Sequence, residues 1–156
     1  MLNQTGRLVQ SNEAAELSVY LQRTALETGG GRGFFLSDLI NTGYQIIRYD
    51  ISDGNCIGSI KTCIKKGEEF LKVNELESFF LEHQDDLNRE NISKIRTYIS
   101  LINTAGFENI ITAIIYNDEV IIHDGCKRAC ANYILSKTRK VVMPIFVIQT
   151  PAFNYD

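Results

Sequence analysis

The residues best suited to chemistry stand in one run, Asp124-Gly125-Cys126-Lys127-Arg128-Ala129-Cys130-Ala131. A β-rich apolar segment precedes it and a helical pattern follows. Where a strand turns at a glycine into a helix, the first-turn N–H groups lack internal partners and lie at the positive end of the helix dipole. Lys127 and Arg128 in that turn are each unfavourable by roughly 0.3–1 kcal/mol unless an anion sits in front of them. Arginine offers a planar fork for phosphate and lysine a point charge. Gly125 permits close backbone approach. The run therefore reads as a phosphate-binding turn, with Gly125, Cys126, Lys127 and Arg128 as its contacts. The plainer alternative is that both cations point into solvent.

Neighbouring residues extend the chemistry. Asp124, beside the turn, is the candidate for holding Mg²⁺ or polarising a substrate group, or else a turn residue that accepts backbone N–H bonds. Strand alternation aims His123 away from Asp124, so it reads as a surface or satisfied histidine. Cys126 at a helix start beside two cations is expected to have a lowered pKa and to be a better nucleophile. Its alternative is a small residue filling the loop. Cys130, one turn on, reads as packing. Cys56, Cys63, Cys126 and Cys130 form no Cys-x-x-Cys pair and no zinc pattern with the two histidines, which points to reduced thiols in a cytosolic protein. Gly29-Gly30-Gly31-Arg32-Gly33 lacks the Gly-Lys-Ser/Thr ending of a P-loop and the dinucleotide spacing, so it reads as a turn.

These residues need elements to position them. A helix is expected over Glu13 to Glu27, with Ala14, Leu17, Leu21 and Ala25 on one face and Ser11 or Asn12 as its cap. Tyr44 to Ile51 reads as a strand and Asp53-Gly54-Asn55 as a turn. Ile57 to Ile64 fits either a helix or a strand. Phe70 to Val73 reads as a strand, and Glu75 to Glu82 is apolar with acidic residues interleaved. Asn88 is expected to cap a helix from Arg89 to Asn103, with Ile92, Ile95, Ile99 and Ile102 inward and Lys94 and Arg96 in solvent. Gly106 is expected to end it. Ile110 to Tyr116 and Glu119 to His123 form a hairpin about Asn117-Asp118. Cys126 to Ser136 is a helix, and Val141 to Ile148 a closing strand in which Pro144 suggests an edge or a bulge.

The order of these elements, with Gly125-Cys126-Lys127-Arg128-Ala129-Cys130-Ala131 opening a helix after a strand, resembles the ParB/sulfiredoxin superfamily. Its box reads Gly-x-His/Arg-Arg-x-x-Ala, often after an aspartate. The resemblance covers Phe70 to Ile148. It implies an α/β (α+β) fold, a small mixed sheet with flanking helices over residues 69–156, here preceded by an N-terminal helical extension over residues 1–68. It also implies nucleotide or phosphate binding, because the family includes CTP-hydrolysing partition proteins, ATP-dependent sulfiredoxins and kinases of free serine. The basic pair that contacts phosphates falls on Lys127 and Arg128. In the resembling kinases a carboxylate from the connection before the helix reaches the site. Glu82, Asp85 and Asp86 lie there, and Glu82 is the preferred catalytic candidate, with a solvated acidic loop as the plainer reading.

The resulting expectation is a nucleotide-dependent phosphotransferase or NTPase acting on a small molecule. Its cofactors are a nucleoside tri- or diphosphate, ATP first, and Mg²⁺. One alternative is a sulfiredoxin-like ATP-dependent reductase, since Cys126 occupies the position of that branch's cysteine, although Asp124 replaces the glycine before it. The other is a non-catalytic nucleotide-binding or interaction module whose N-terminal extension docks a protein partner or a second copy.

Composition narrows the classes. The chain has 156 residues, 44% apolar and 22% charged, enough to bury a core and too few charges for a disordered chain. A net charge of −3 argues against a phosphate-backbone binder, and no helix-turn-helix follows Ile148, so a DNA partner is not expected. No run approaches a membrane span, and no basic-then-apolar leader opens the sequence, so a cytoplasmic location is expected.

Overall fold

The computed structural model describes residue 2, residues 5–29 and residues 31–150. In chain order the elements are β1 (Arg7–Leu8), α1 (Ser11–Thr28), α2 (Arg32–Asn41), β2 (Ile46–Ile51), α3 (Gly54–Ser59), β3 (Lys61–Lys66) and β4 (Glu69–Lys72). Then follow α4 (Val73–Glu82), α5 (Asp86–Leu101), β5 (Ile111–Tyr116), β6 (Glu119–Asp124), α6 (Cys126–Ser136) and β7 (Met143–Ile148). The strands form one mixed sheet in the order β1-β2-β7-β5-β6-β3-β4. The β5–β7 and β6–β3 pairs are parallel and the other pairs antiparallel. The fold class is thus the expected mixed α/β.

Alternation along the central strands divides the apolar residues between two faces. Met143, Ile145 and Val147 of β7 join Ile111 and Ala113 of β5 in a core with α3, α4, α5 and α6. Phe146 and Ile148 of β7 and Ile114 of β5 meet Leu17, Tyr20, Leu21, Leu36 and Ile40 of α1 and α2. The segment before residue 69 supplies β1, β2 and β3 to this same sheet, so no break in the sheet falls at residue 68. Among the described residues, no helix is long and apolar enough to cross a membrane.

Several local expectations change. Residues 57–64 are both things in turn, the end of α3 and most of β3. Gln10, not Ser11 or Asn12, is the N-cap of α1, and no side chain caps it. Asp85, not Asn88, caps α5, because its carboxylate accepts the Asn88 N–H at 2.8 Å while the Asn88 amide turns to the His83 carbonyl. That helix stops at Leu101, with Asn103 at φ 74° just beyond, and Gly106 falls in the loop. Pro144 sits in an interior strand rather than at an edge. The sheet tolerates it because pairing with β5 begins only at Ile145, so the missing N–H precedes that ladder.

The Asn117-Asp118 hairpin forms as expected, with φ of 48° and 63° at its two central residues. Its far end carries a bulge. Thr112 pairs with Asp124 and Ala113 with Ile122, so His123 is the extra residue of β6.

The α1–α2 contact depends on Gly33. A Cβ there would drive into the Leu21 carbonyl of α1 and come within 2.9 Å of the Ala25 Cβ. Backbone cannot yield as a side-chain tip can, so Gly33→Ala is expected to destabilise the fold by about 1–3 kcal/mol. Gly31→Ala has open space around it and should cost under about 1 kcal/mol. Urea unfolding of the two variants measures the difference.

Candidate functional site

The carboxyl ends of the parallel strands β3 and β6 open into a cleft of about 480 Å³. It is walled by the end of α1, the start of α2, one side of α5 and the turn into α6. Gly125 at φ 91° is the bend between β6 and α6. Neither α2 nor α6 has a side-chain N-cap or an acidic residue in its first turn, so both helix starts bring uncapped amides to the cleft.

Four cations line the cleft with those amides, and three of them stand outside the Asp124–Arg128 pair. Arg32 comes from the first residue of α2, Lys94 from α5 and Lys127 from the first turn of α6. Burial and then the charge of Lys94 lower the Lys127 pKa, with Arg128 and Arg32 adding to the repulsion. The carboxylates on the cleft wall are Glu27 and Asp124, and Asp124 is committed to Arg128. Lys94 reaches Glu90 at 3.3 Å, an exposed pair of little strength. The cleft thus carries more positive than negative charge in a chain whose net charge is negative.

Arg128 has a different position from that expected. Its Nη2 donates to Asp124 Oδ2 at 2.9 Å and its Nε to the Ile110 carbonyl at 3.1 Å. The guanidinium lies 6.0 Å from the Tyr20 ring and 5.9 Å from the Tyr98 ring. A Cβ on residue 125 would come within 3.0 Å of Arg128 Nη2 and of the Ile110 carbonyl. Part of the space that glycine leaves is therefore filled by this chain's own arginine.

Asn132, one turn further along α6 and fully buried, receives the chain on the other side. Its amide donates to the Arg128 carbonyl at 2.8 Å and exchanges bonds with the Asn109 side chain at 2.9 and 3.0 Å. The segment before β5 is thus tied to α6 at two points, Arg128 and Asn132.

The other expected residues separate. Cys126 lines the cleft but is buried, with Sγ 3.6 Å from the Ile122 carbonyl. Its hydrogen bond with Cys63 and its burial push the thiol well above the ordinary value, opposite to the expected direction. Cys130 is core packing, and burial pushes its thiol up to about 12. Glu82 is exposed at the end of α4 and is not among the residues lining the cleft. Asp85 is the cap of α5, and Asp86 pairs with Arg89 on the surface. Among the described residues, no three His, Cys, Asp or Glu side chains cluster as a metal site.

Three residues that sequence reasoning set aside belong to the cleft: Arg32, Lys94 and His123. The glycines flanking Arg32 were the available signal, since they mark an abrupt start of a helix. Lys94 lies opposite the isoleucines of α5, a face that reads as solvent until α6 stands beside it. His123 escapes the alternation because the bulge holds it and Asp124 on the same cleft. Its ring lies 6.1 Å from Phe35. Burial, and next the Arg32 charge, lower its pKa from 6.5 to about 4, so it is neutral at pH 7.

Compared with known proteins, the chain matches no family model, no curated protein and no solved structure.

Two predictions test this geometry. Arg128→Ala leaves the Asp124 carboxylate and the Ile110 carbonyl without their donor, and should cost about 3 kcal/mol of stability by chemical denaturation. The His123 pKa lies below its unfolded value, so the unfolded chain takes the proton first. The resulting stability is present above pH 6.5 and is lost as pH falls through about 4, by roughly 3 kcal/mol. Denaturation curves from pH 7 to 4 should show that loss, and His123→Asn should flatten it.

Proposed function

We propose that the cleft binds the phosphates of a nucleoside polyphosphate, and that the protein uses it for phosphoryl transfer or hydrolysis on a small molecule. The observation that carries this reading is the meeting of two uncapped helix starts with Arg32, Lys94 and Lys127 in one concave space. Helix N-termini favour anions, and cations held close together there lose their mutual repulsion when a polyanion arrives. Burial first, and then the charge of Lys94, lower the Lys127 pKa, and an anion placed beside it would favour the charged form again. The likeness of the 125–131 box to the ParB/sulfiredoxin superfamily supports the same ligand class.

In this reading Lys127, Arg32 and Lys94 grip the phosphates, and the amides of Cys126 and Lys127 cap them. Arg128 is a positioning residue that holds the turn through Asp124 and the Ile110 carbonyl. Mg²⁺ usually keeps several waters and binds through one or two carboxylates plus substrate phosphates. Asp124, one of the two carboxylates on the cleft wall, would hold it here in competition with its pair to Arg128. The metal would arrive on the nucleotide. Glu27, the cleft carboxylate outside the Asp124–Arg128 pair, takes the part of general base that Glu82 is too remote to play. A buried, protonated Cys126 does not favour the reductase alternative.

The second reading is a nucleotide-binding module without turnover. It is favoured by the commitment of Asp124 to Arg128, which leaves the cleft short of catalytic carboxylates.

Calorimetric titration with ATP, CTP and pyrophosphate tests the binding. Lys127→Ala and Arg32→Ala should each weaken it about tenfold or more, as expected for losing a charged hydrogen-bond donor, with melting temperatures close to the parent's. Unchanged affinity in both folded variants overturns the phosphate site. Glu27→Gln separates the two readings. An enzyme loses product formation at unchanged nucleotide affinity, whereas a module forms no product with either residue.

A further inference from the structure

Beneath the cleft lies a pair of thiols that the phosphate site does not use. The strands β3 and β6 run parallel with Thr62 opposite Ile122, which sets Cys63 beside His123. Cys63 Sγ lies 3.9 Å from the His123 carbonyl, and Cys126 Sγ lies 3.6 Å from the Ile122 carbonyl. Each thiol also shifts the other's titration, which places the two side chains within each other's reach. Residues 63 apart in the chain thus bring their sulfurs to neighbouring carbonyls of one strand. We propose that Cys63 and Cys126 form a reversible disulfide that staples β3 to the first turn of α6.

The two sulfurs differ in a way that assigns their parts. Cys126 is buried, and its raised pKa keeps the proton on. Cys63 is half-buried on β3, beside Ile64 of the cleft wall. The hydrogen bond from Cys126 lowers its thiol to about 7 against the opposing cost of burial, and Arg32 across the cleft acts in the same direction. Thiolate character with partial access is what makes a cysteine react with peroxide. Cys56, on α3, and Cys130, in the core and held near 12, belong to other parts of the fold.

The oxidant is hydrogen peroxide. The Cys63 thiolate attacks one peroxide oxygen, the O–O bond breaks, and the departing hydroxide takes a proton to become water. Cys63 is then a sulfenic acid. The Cys126 sulfur attacks the Cys63 sulfur, the S–O bond breaks, and the hydroxyl leaves with the Cys126 thiol proton as a second water. Two thiols lose two electrons, and one peroxide is reduced to two waters. A small dithiol reverses the step by exchange.

The disulfide does not depend on what the cleft binds, and it is read by sulfur chemistry alone. The full chain is treated with hydrogen peroxide at equimolar and modest excess, its free thiols are counted, and it is then digested without reductant for peptide mass mapping. The free-thiol count should fall from four to two. A peptide joining Cys63 to Cys126 should appear, and dithiothreitol should abolish it. Cys126→Ser should trap Cys63 as a sulfenic acid that dimedone labels, and Cys63→Ser should leave the remaining thiols unoxidised at the same dose. No thiol loss, loss without the linked peptide, or a link from Cys63 to Cys56 or Cys130 overturns the proposal. Mapping of the unsubstituted chain decides it alone if the Cys126 variant fails to fold.

Discussion

The arrangement of this protein depends on the Arg128 guanidinium. It joins the end of β6, through Asp124, to the residue before β5, through the Ile110 carbonyl, from the first turn of α6. Tyr20 and Tyr98 flank it from α1 and α5, which cover opposite faces of the sheet. A planar cation with several fixed donors can satisfy a carboxylate and a carbonyl at once, which a lysine ammonium cannot do with the same geometry. Because the pair is mostly shielded from water, its partners would be costly to leave alone. The left-handed bend at Gly125 and the bulge at His123 both lie within this knot.

With Arg128 so engaged, the electrostatic character of the cleft comes from elsewhere. Arg32, Lys94 and Lys127 arrive from three different helices, and two helix starts line the same cleft. The N-terminal helices are therefore part of the candidate site and not an appendage to it. The bulge adds a neutral imidazole at the same wall. Cys63 and Cys126 lie where β3 meets the start of α6, so the proposed anion cleft and the proposed disulfide share one structural junction.

Much of the architecture was legible in the residues. The hairpin about Asn117-Asp118, the strand before Gly125 and the helix Cys126–Ser136 follow from apolar runs, turn residues and a glycine that only a bend explains. The capping of α5 was displaced by three residues, because Asp85 and Asn88 are both good caps and the buried amide of Asn88 found another partner. Pro144 misled for a related reason. A proline weakens a ladder only where its N–H would have been used, and the neighbouring strand starts one residue later.

The run of residues 124–128 is local, so chain order alone brings Asp124, Gly125, Lys127 and Arg128 to one turn, and the types of those residues are the ground for expecting an anion there. Which of the two cations faces outward is not local. Arg128, although it too lines the cleft, is engaged by the Ile110 carbonyl beside Tyr20 and Tyr98, all distant in sequence, whereas Lys127 lines the cleft outside that knot. The same holds for Arg32, Lys94, and the contact of Cys63 with Cys126. Periodicity along a chain reports which face of an element is buried, but not which other element will stand across from it, and that pairing made the cleft.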